Sequence, residues 1–265
     1  ALDAGICRAQ NEWLLFTDVD CRVSSGWVAG MSGYFCSKND YVIGHSNVKS
    51  GNTLLNLFQS LDYFLLLVAA RGAANLGSAW ACSGQNQAYR KSLYQKVGGF
   101  SRIKNQIQGD DSLFLNLCRK REKAVVVFAD ALQSHVTARQ EKTWISLVNQ
   151  RLRWSGDANI IWKFNVGFYM LLGGFFLLHL TFVSLFCISI LFPYYLTVLV
   201  KFLTIKFIME FLLYFAGSRQ LGQSLNFKEY FLWFFIHIPY VVLMGFGSFF
   251  AKQLSWRGRK LRLSS

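Results

Sequence analysis

The chain has 265 residues, of which 53% are hydrophobic and only 16% charged, with 25 Phe against 2 Pro; this excludes both an ordinary soluble domain and a disordered one. The net charge of +14 invites a nucleic-acid reading. However, the positive charge is scattered or sits beside apolar segments instead of forming a basic stripe with stacking residues, which argues against nucleic acid and for anionic lipid headgroups and a nucleoside diphosphate as partners.

The apolar excess is uneven. Of the 14 Asp and Glu, 12 precede residue 164 and only Glu210 and Glu229 follow it. Residues 1–163 therefore read as a folded catalytic domain and 164–265 as a membrane region. The six cysteines contain no C-x-x-C pair and read as reduced, mostly buried thiols facing a cytosolic compartment.

In chain order, Ala1 to Gln10 looks helical and begins abruptly, so the expectation is an N-terminally truncated domain. Trp13 to Thr17 is a short apolar run ending in Asp18, as a buried strand would. Ser24 or Ser25 is placed to cap a helix with Trp27, Val28, Met31 and Phe35 on its apolar face. Tyr41 to Val48 reads as one strand, and 52–71 as a long helix with a heavy apolar face. Gly98-Gly99 should stop a short helix begun near Lys91. A helix is expected from about Asp110, with Leu113, Phe114, Leu117 and Cys118 on one face, then a strand at Ala124 to Phe128 and a helix opened by Thr143. The alternation predicts an α/β fold.

Phe164 to Phe192 carries no charge over roughly 29 residues, more than the ~20 that cross a bilayer. Tyr230 to Phe250 is a second uncharged run, with Trp233 and Tyr240 as interfacial anchors. Between them, Leu196 to Ala216 holds Lys201, Lys206 and Glu210; it is expected to lie in the interface or re-enter, with Lys206 and Glu210 able to pair. The basic tail (Arg257, Arg259, Lys260, Arg262) favours the cytoplasmic side. That gives two or three spanning segments.

Three short motifs carry chemistry. Asp18-Val19-Asp20 follows a strand, so both carboxylates project from a sheet's carboxyl edge and suit Mg²⁺ or Mn²⁺ bound with a substrate's phosphates; paired solvated or capping aspartates would look the same. Gly109-Asp110-Asp111 at a helix start offers a general base, or simply two acids favoured by the helix dipole. Gln150, Arg153 and Trp154 lie at i, i+3 and i+4, so an amide, a guanidinium and an indole share one helical face that fits a diphosphate and a sugar; Arg and Trp are also ordinary membrane-edge anchors. His135 reads as structural more readily than as a ligand. His179 and His237 lie in apolar runs without an evident partner in sequence, and Arg119-Lys120-Arg121 reads as a helix C-terminal charge cluster.

In this order, Asp-x-Asp, Gly-Asp-Asp and Q-x-x-R-W ahead of membrane helices resemble the family 2 glycosyltransferases of the GT-A fold, including ceramide-glucosyltransferase-like and polysaccharide-synthase-like members. Ser83 to Arg90 with Val97 to Phe100 resembles that family's acceptor-side segment. The resemblance covers about residues 1–157. It implies a Rossmann-like nucleotide-sugar domain whose first strand and helix would precede Ala1. It also implies Asp18 and Asp20 as metal and diphosphate ligands, Asp111 as base, Asp110 as helper, and Gln150, Arg153, Trp154, Gly84, Gln85 and Asn86 around donor and acceptor.

The implied activity is an inverting, metal-dependent transfer of a sugar from a nucleotide-sugar, a UDP-sugar by preference, to a lipid or glycan acceptor. It would take place on a multi-pass cell-membrane protein with a cytoplasmic catalytic domain. The alternatives are a processive polysaccharide synthase, which needs a polymer channel that two or three spans hardly wall, and a catalytically inactive membrane scaffold, which should have lost one of the motifs.

Overall fold

A computed structural model describes residues 2–49, 51–103, 109–249, 255–256 and 259–260. Arg257 and Arg262 of the basic tail lie outside these residues. After helix α1 (Leu2–Arg8) the chain forms strand β1 (Trp13–Phe16), β2 (Arg22–Val23), helix α2 (Trp27–Ser32), β3 (Tyr41–Gly44), β4 (Ser46–Val48) and the long α3 (Leu54–Asn75). Then come β5 (Gln87–Arg90), α4 (Lys91–Lys96), α5 (Ser112–Glu122), β6 (Val126–Ala129), a 3₁₀ turn at Leu132–Ser134, β7 (Val136–Ala138) and α6 (Trp144–Ile161). The last third is helical: α7 (Val166–Leu191), α8 (Tyr194–Leu221) and α9 (Phe227–Ser248), followed by the short β8 (Ser255–Trp256) and β9 (Arg259–Lys260).

The main sheet has the order β1-β5-β3-β6. β5 runs antiparallel to both neighbours, and β3 pairs parallel with β6. β1, β3 and β6 therefore point the same way, and their carboxyl ends share an edge with the amino end of β5. All four residues of β3 are buried, as a central strand covered on both faces requires. Tyr41, Tyr89 and Phe114 pack together beneath the sheet. The fold is thus mixed α/β, as expected.

Several sequence expectations are corrected. Tyr41 to Val48 is two strands in two sheets, because β4 leaves the main sheet to pair with β7. The switch occurs at Gly44, where a Cβ would lie 2.2 Å from the Asn86 side chain, so only glycine admits that amide. Neither Ser24 nor Ser25 caps α2: its N-cap is Gly26, the Ser24 hydroxyl donates to the Gln133 carbonyl, and Phe35 lies beyond the helix. Helix α5 starts at Ser112 with Asp111 as its N-cap, and it buries Leu115 and Asn116 as well as the expected face. Cys118 alone of the six free thiols is buried. Gly98 and Gly99 do end α4, in the left-handed region at φ +82° and +60°.

Helices α3, α7 and α9 are each long and apolar enough to cross a membrane. The most apolar stretch of α3 is 61% buried inside the fold, against 11% for α7, so α3 is a core helix and α7 leaves most of its apolar surface uncovered. Helix α8 is one uninterrupted run of 28 residues; at 1.5 Å per residue it extends about 42 Å. It folds back on α7 through Phe192-Pro193 and brings its carboxyl end to the catalytic domain, where Arg71 bonds Gln220. Lys206 and Glu210 do pair, at 2.5 Å. Trp233 is buried rather than interfacial, and Tyr240 packs edge-on against Phe58 of α3.

Candidate active site

The carboxyl edge of the main sheet gathers the motifs. Asp18 and Asp20 follow β1 on a tight turn closed by the Cys21 amide donating to the Asp18 carbonyl, 3.0 Å. Both side chains are exposed, and their ligand atoms and the Cys21 sulfur lie within 4.8 Å of one another. Burial, with the charges of Asp18 and Asp20, pushes the Cys21 thiol up to about 11, so it stays neutral and the donors on offer are carboxylate oxygens. Hard oxygen donors open to a roomy cavity fit Mg²⁺ or Mn²⁺.

Residues Cys82 to Gln85 lie just before the amino end of β5, hence at the same edge. Ser112 ties this loop to the start of α5: its hydroxyl donates to the Cys82 carbonyl (2.9 Å) and accepts from the Cys82 amide (3.1 Å). Asp111 caps α5 by accepting from the Ser112 amide, and the Gly84 amide approaches its other oxygen at 3.4 Å. The carboxyl is raised to about 6, first by burial, then by the neighbouring Asp110 charge, with Asp18 adding to it. A carboxylate poised there can accept a proton near neutral pH. Asp110 is held through its carbonyl, which accepts from Gln87 Nε2 at 3.1 Å.

One cavity of about 1360 Å³ is lined by Asp18, Asp20, Asp110, Asp111, Gly84 and Gln85, and equally by Gln150, Arg153 and Trp154 of α6. Asn86 does not reach it. Fully buried, its amide donates to the His45 and Ser134 carbonyls and accepts from Trp27 Nε1, which fastens the two sheets together. His135 lies tilted against His45, ring centroids 4.6 Å apart, and belongs to no ligand cluster among the described residues. Arg119 does more than close α5: it donates to the Gly77 and Ala79 carbonyls.

Sequence reasoning missed the supports of α6. Arg151 forms an ion pair with Asp62 of α3 at 3.1 Å, with both side chains buried, and its guanidinium sits 4.2 Å over the Trp154 ring. Tyr63 packs on the same indole and donates to Gln85 Oε1. Glu141 accepts from Gln150 Nε2 at 3.1 Å, while Gln59 clamps the Glu141 backbone through both amide atoms. A lone Asp in an apolar helix, as Asp62 is, was the available signal, since such a charge demands a partner.

Among curated proteins, no sequence matches this chain. The motifs pointed to family 2, whereas the family model that matches is that of glycosyl transferase family 21. It covers residues 1–265, and the chain belongs to that family.

Proposed function

We propose that this glycosyltransferase moves a sugar from a UDP-sugar to a lipid acceptor at the cytoplasmic face of a membrane, by single displacement with inversion. The observation that carries the reading is the cavity itself. Its lining joins the carboxylates of Asp18, Asp20 and Asp111 to the apolar side chains of Phe168, Leu172 and Phe176 of α7 and Val241 and Met244 of α9. A molecule with a polar head and an apolar chain matches both kinds of lining at once.

Asp18 and Asp20 would hold Mg²⁺ or Mn²⁺ together with the donor diphosphate. The bound ion supplies neutralising charge for the departing nucleoside diphosphate. Arg153 binds the same phosphates by charge-assisted hydrogen bonds. Asp111 takes the proton from the acceptor hydroxyl as it attacks the anomeric carbon, with Asp110 sustaining its raised affinity for that proton. Trp154, held by Arg151 and Tyr63, offers a flat apolar face to a sugar ring. Gln150, Gly84 and Gln85 complete the wall.

A processive synthase would need a polar passage for its polymer, whereas α7 and α9 bring Phe168, Leu172, Phe176, Val241 and Met244 to the cavity. An inactive scaffold would have no use for three acidic and basic motifs converging on one cavity.

The test is to incubate the full-length protein in membranes with a panel of nucleotide-sugars and to follow diphosphate release and labelled lipid. Sugar appearing in organic-extractable lipid supports the reading. Sugar found only in insoluble polymer, or no transfer with any donor, sinks it.

A further inference from the structure

The two histidines of the apolar helices are brought together. His179 lies at the middle of α7, Lys206 and Glu210 at the middle of α8, and His237 at the middle of α9. Ionisable side chains at such positions are costly and commonly functional. The imidazoles of His179 and His237 stand 5.2 Å apart, centroid to centroid, and a ligand atom from each of His179, Glu210 and His237 lies within 4.8 Å of the others.

The hydrogen bonding decides which atoms are available. His179 Nδ1 lies 2.8 Å from the Phe175 carbonyl, which can only accept, so Nδ1 carries the proton and Nε2 keeps its lone pair. Nε2 is fully buried and has no hydrogen-bond partner. Donation of one ring N–H to a backbone carbonyl while the other nitrogen waits is the outer-shell arrangement of a metal-binding histidine. His237 Nδ1 is likewise buried without a partner, and the residue is 7% exposed. It also lines the large cavity, which provides an entry path. Two orphaned nitrogens beside a carboxylate would be expensive as mere filling.

We propose that His179, Glu210 and His237 form a binding site for a divalent transition-metal ion of the Zn²⁺ class, fastening α7, α8 and α9 to one another inside the apolar region. Two imidazoles and a carboxylate are a known donor set for zinc with a fourth position open. Metal–ligand bonds of about 2.0–2.2 Å put tetrahedral donors about 3.3 Å apart, so the present spacing needs a closure of about 1.5 Å at most. Lys206 holds the place of the ion: its ammonium pairs with Glu210 and lies 4.6 Å over the Phe234 ring. Metal binding displaces that ammonium, and a four-carbon stem lets it swing away. Lys206 is therefore a competitor whose removal tightens the site. The site is separate from the Asp18 and Asp20 carboxylates, which belong to a different donor class.

The experiment is a Co²⁺ titration of the full chain in detergent micelles, carrying Asp18→Asn and Asp20→Asn so that those exposed carboxylates contribute nothing. The expected result is one equivalent of Co²⁺ giving the intense visible bands of a four- or five-coordinate nitrogen-ligated ion, chased by Zn²⁺. His179→Gln and His237→Gln should each weaken binding by about a hundredfold. Lys206→Met should tighten it by about tenfold. A cooperative melting transition identifies the variants that are folded. Only weak six-coordinate bands, or none, in folded protein both with Lys206 and with Met in its place would overturn the proposal. So would intense bands that persist in the double His variant.

Discussion

Arg151 of α6 and Asp62 of α3 form a buried ion pair at 3.1 Å, and the same guanidinium lies against the ring of Trp154. The helix that carries Gln150, Arg153 and Trp154 is thereby locked to the core helix α3, whose Asp62 and Tyr63 also line the cavity. Removing one partner strands the other charge in a dry environment, which costs about 3–5 kcal/mol. Arg151→Ala should therefore lower the unfolding free energy by roughly that amount and reduce turnover as the Trp154 ring loses its support. Replacing both, as Asp62→Leu with Arg151→Met, should restore most of the stability but not the turnover. Denaturant melts and transfer assays on the parent and these two variants check this; a fully active double variant would show that the pair does not position Trp154.

The raised carboxyl of Asp111 makes a signed prediction. Its affinity for a proton is higher in the folded chain, about 6, than the ordinary value of 3.8. Between those values the unfolded chain is already ionised while the folded one is not, so stability falls as pH rises through that window. Above about pH 6 the full cost is present, about 2–3 kcal/mol. Asp111→Asn should stabilise the protein at pH 8 and change little near pH 4, as measured by melting across pH. In the same variant, turnover should drop by orders of magnitude while donor binding survives. In the parent protein kcat/KM should rise with pH about a midpoint near 6. If Asp110→Asn were the more damaging change, the roles of the two acids would be exchanged.

Asp18 and Asp20 are exposed, so their substitution should leave the fold intact. Asp20→Asn should abolish transfer with less than about 0.5 kcal/mol change in stability, as expected of a surface position. Chelation of divalent ions should silence the parent protein, and Mg²⁺ or Mn²⁺ should revive it. Undiminished transfer in EDTA would remove the metal from the reaction.

The helices also predict a sidedness. α7 leaves the catalytic domain, α8 returns to it at Gln220, and α9 ends against α6, where the Ser248 carbonyl accepts from Asn159. A chain that both begins and ends α9 on the domain emerges on the domain's own side. Cysteine introduced at Ser264, in a background without the native thiols, should resist an impermeant reagent in intact cells and react after permeabilisation. Labelling in intact cells would mean an additional crossing.

The sequence by itself determined whatever depends on neighbours along the chain. The β1 run ending in Asp18, the Thr143 cap of α6, the glycine stop after α4 and the uncharged length of α7 were all legible, because periodicity, capping and hydropathy act over a few residues. The motif order was enough to mark a glycosyltransferase. Only the tertiary structure decided which side chains face one another. It buried Asn86 between two sheets although its neighbour Gln85 lines the cavity. It also gave Asp62 the partner Arg151 from 89 positions away, and gathered His179, Glu210 and His237 from three helices. Nothing local encodes those meetings: a buried polar atom must find a partner wherever the packed chain supplies one, and that partner is chosen by the fold.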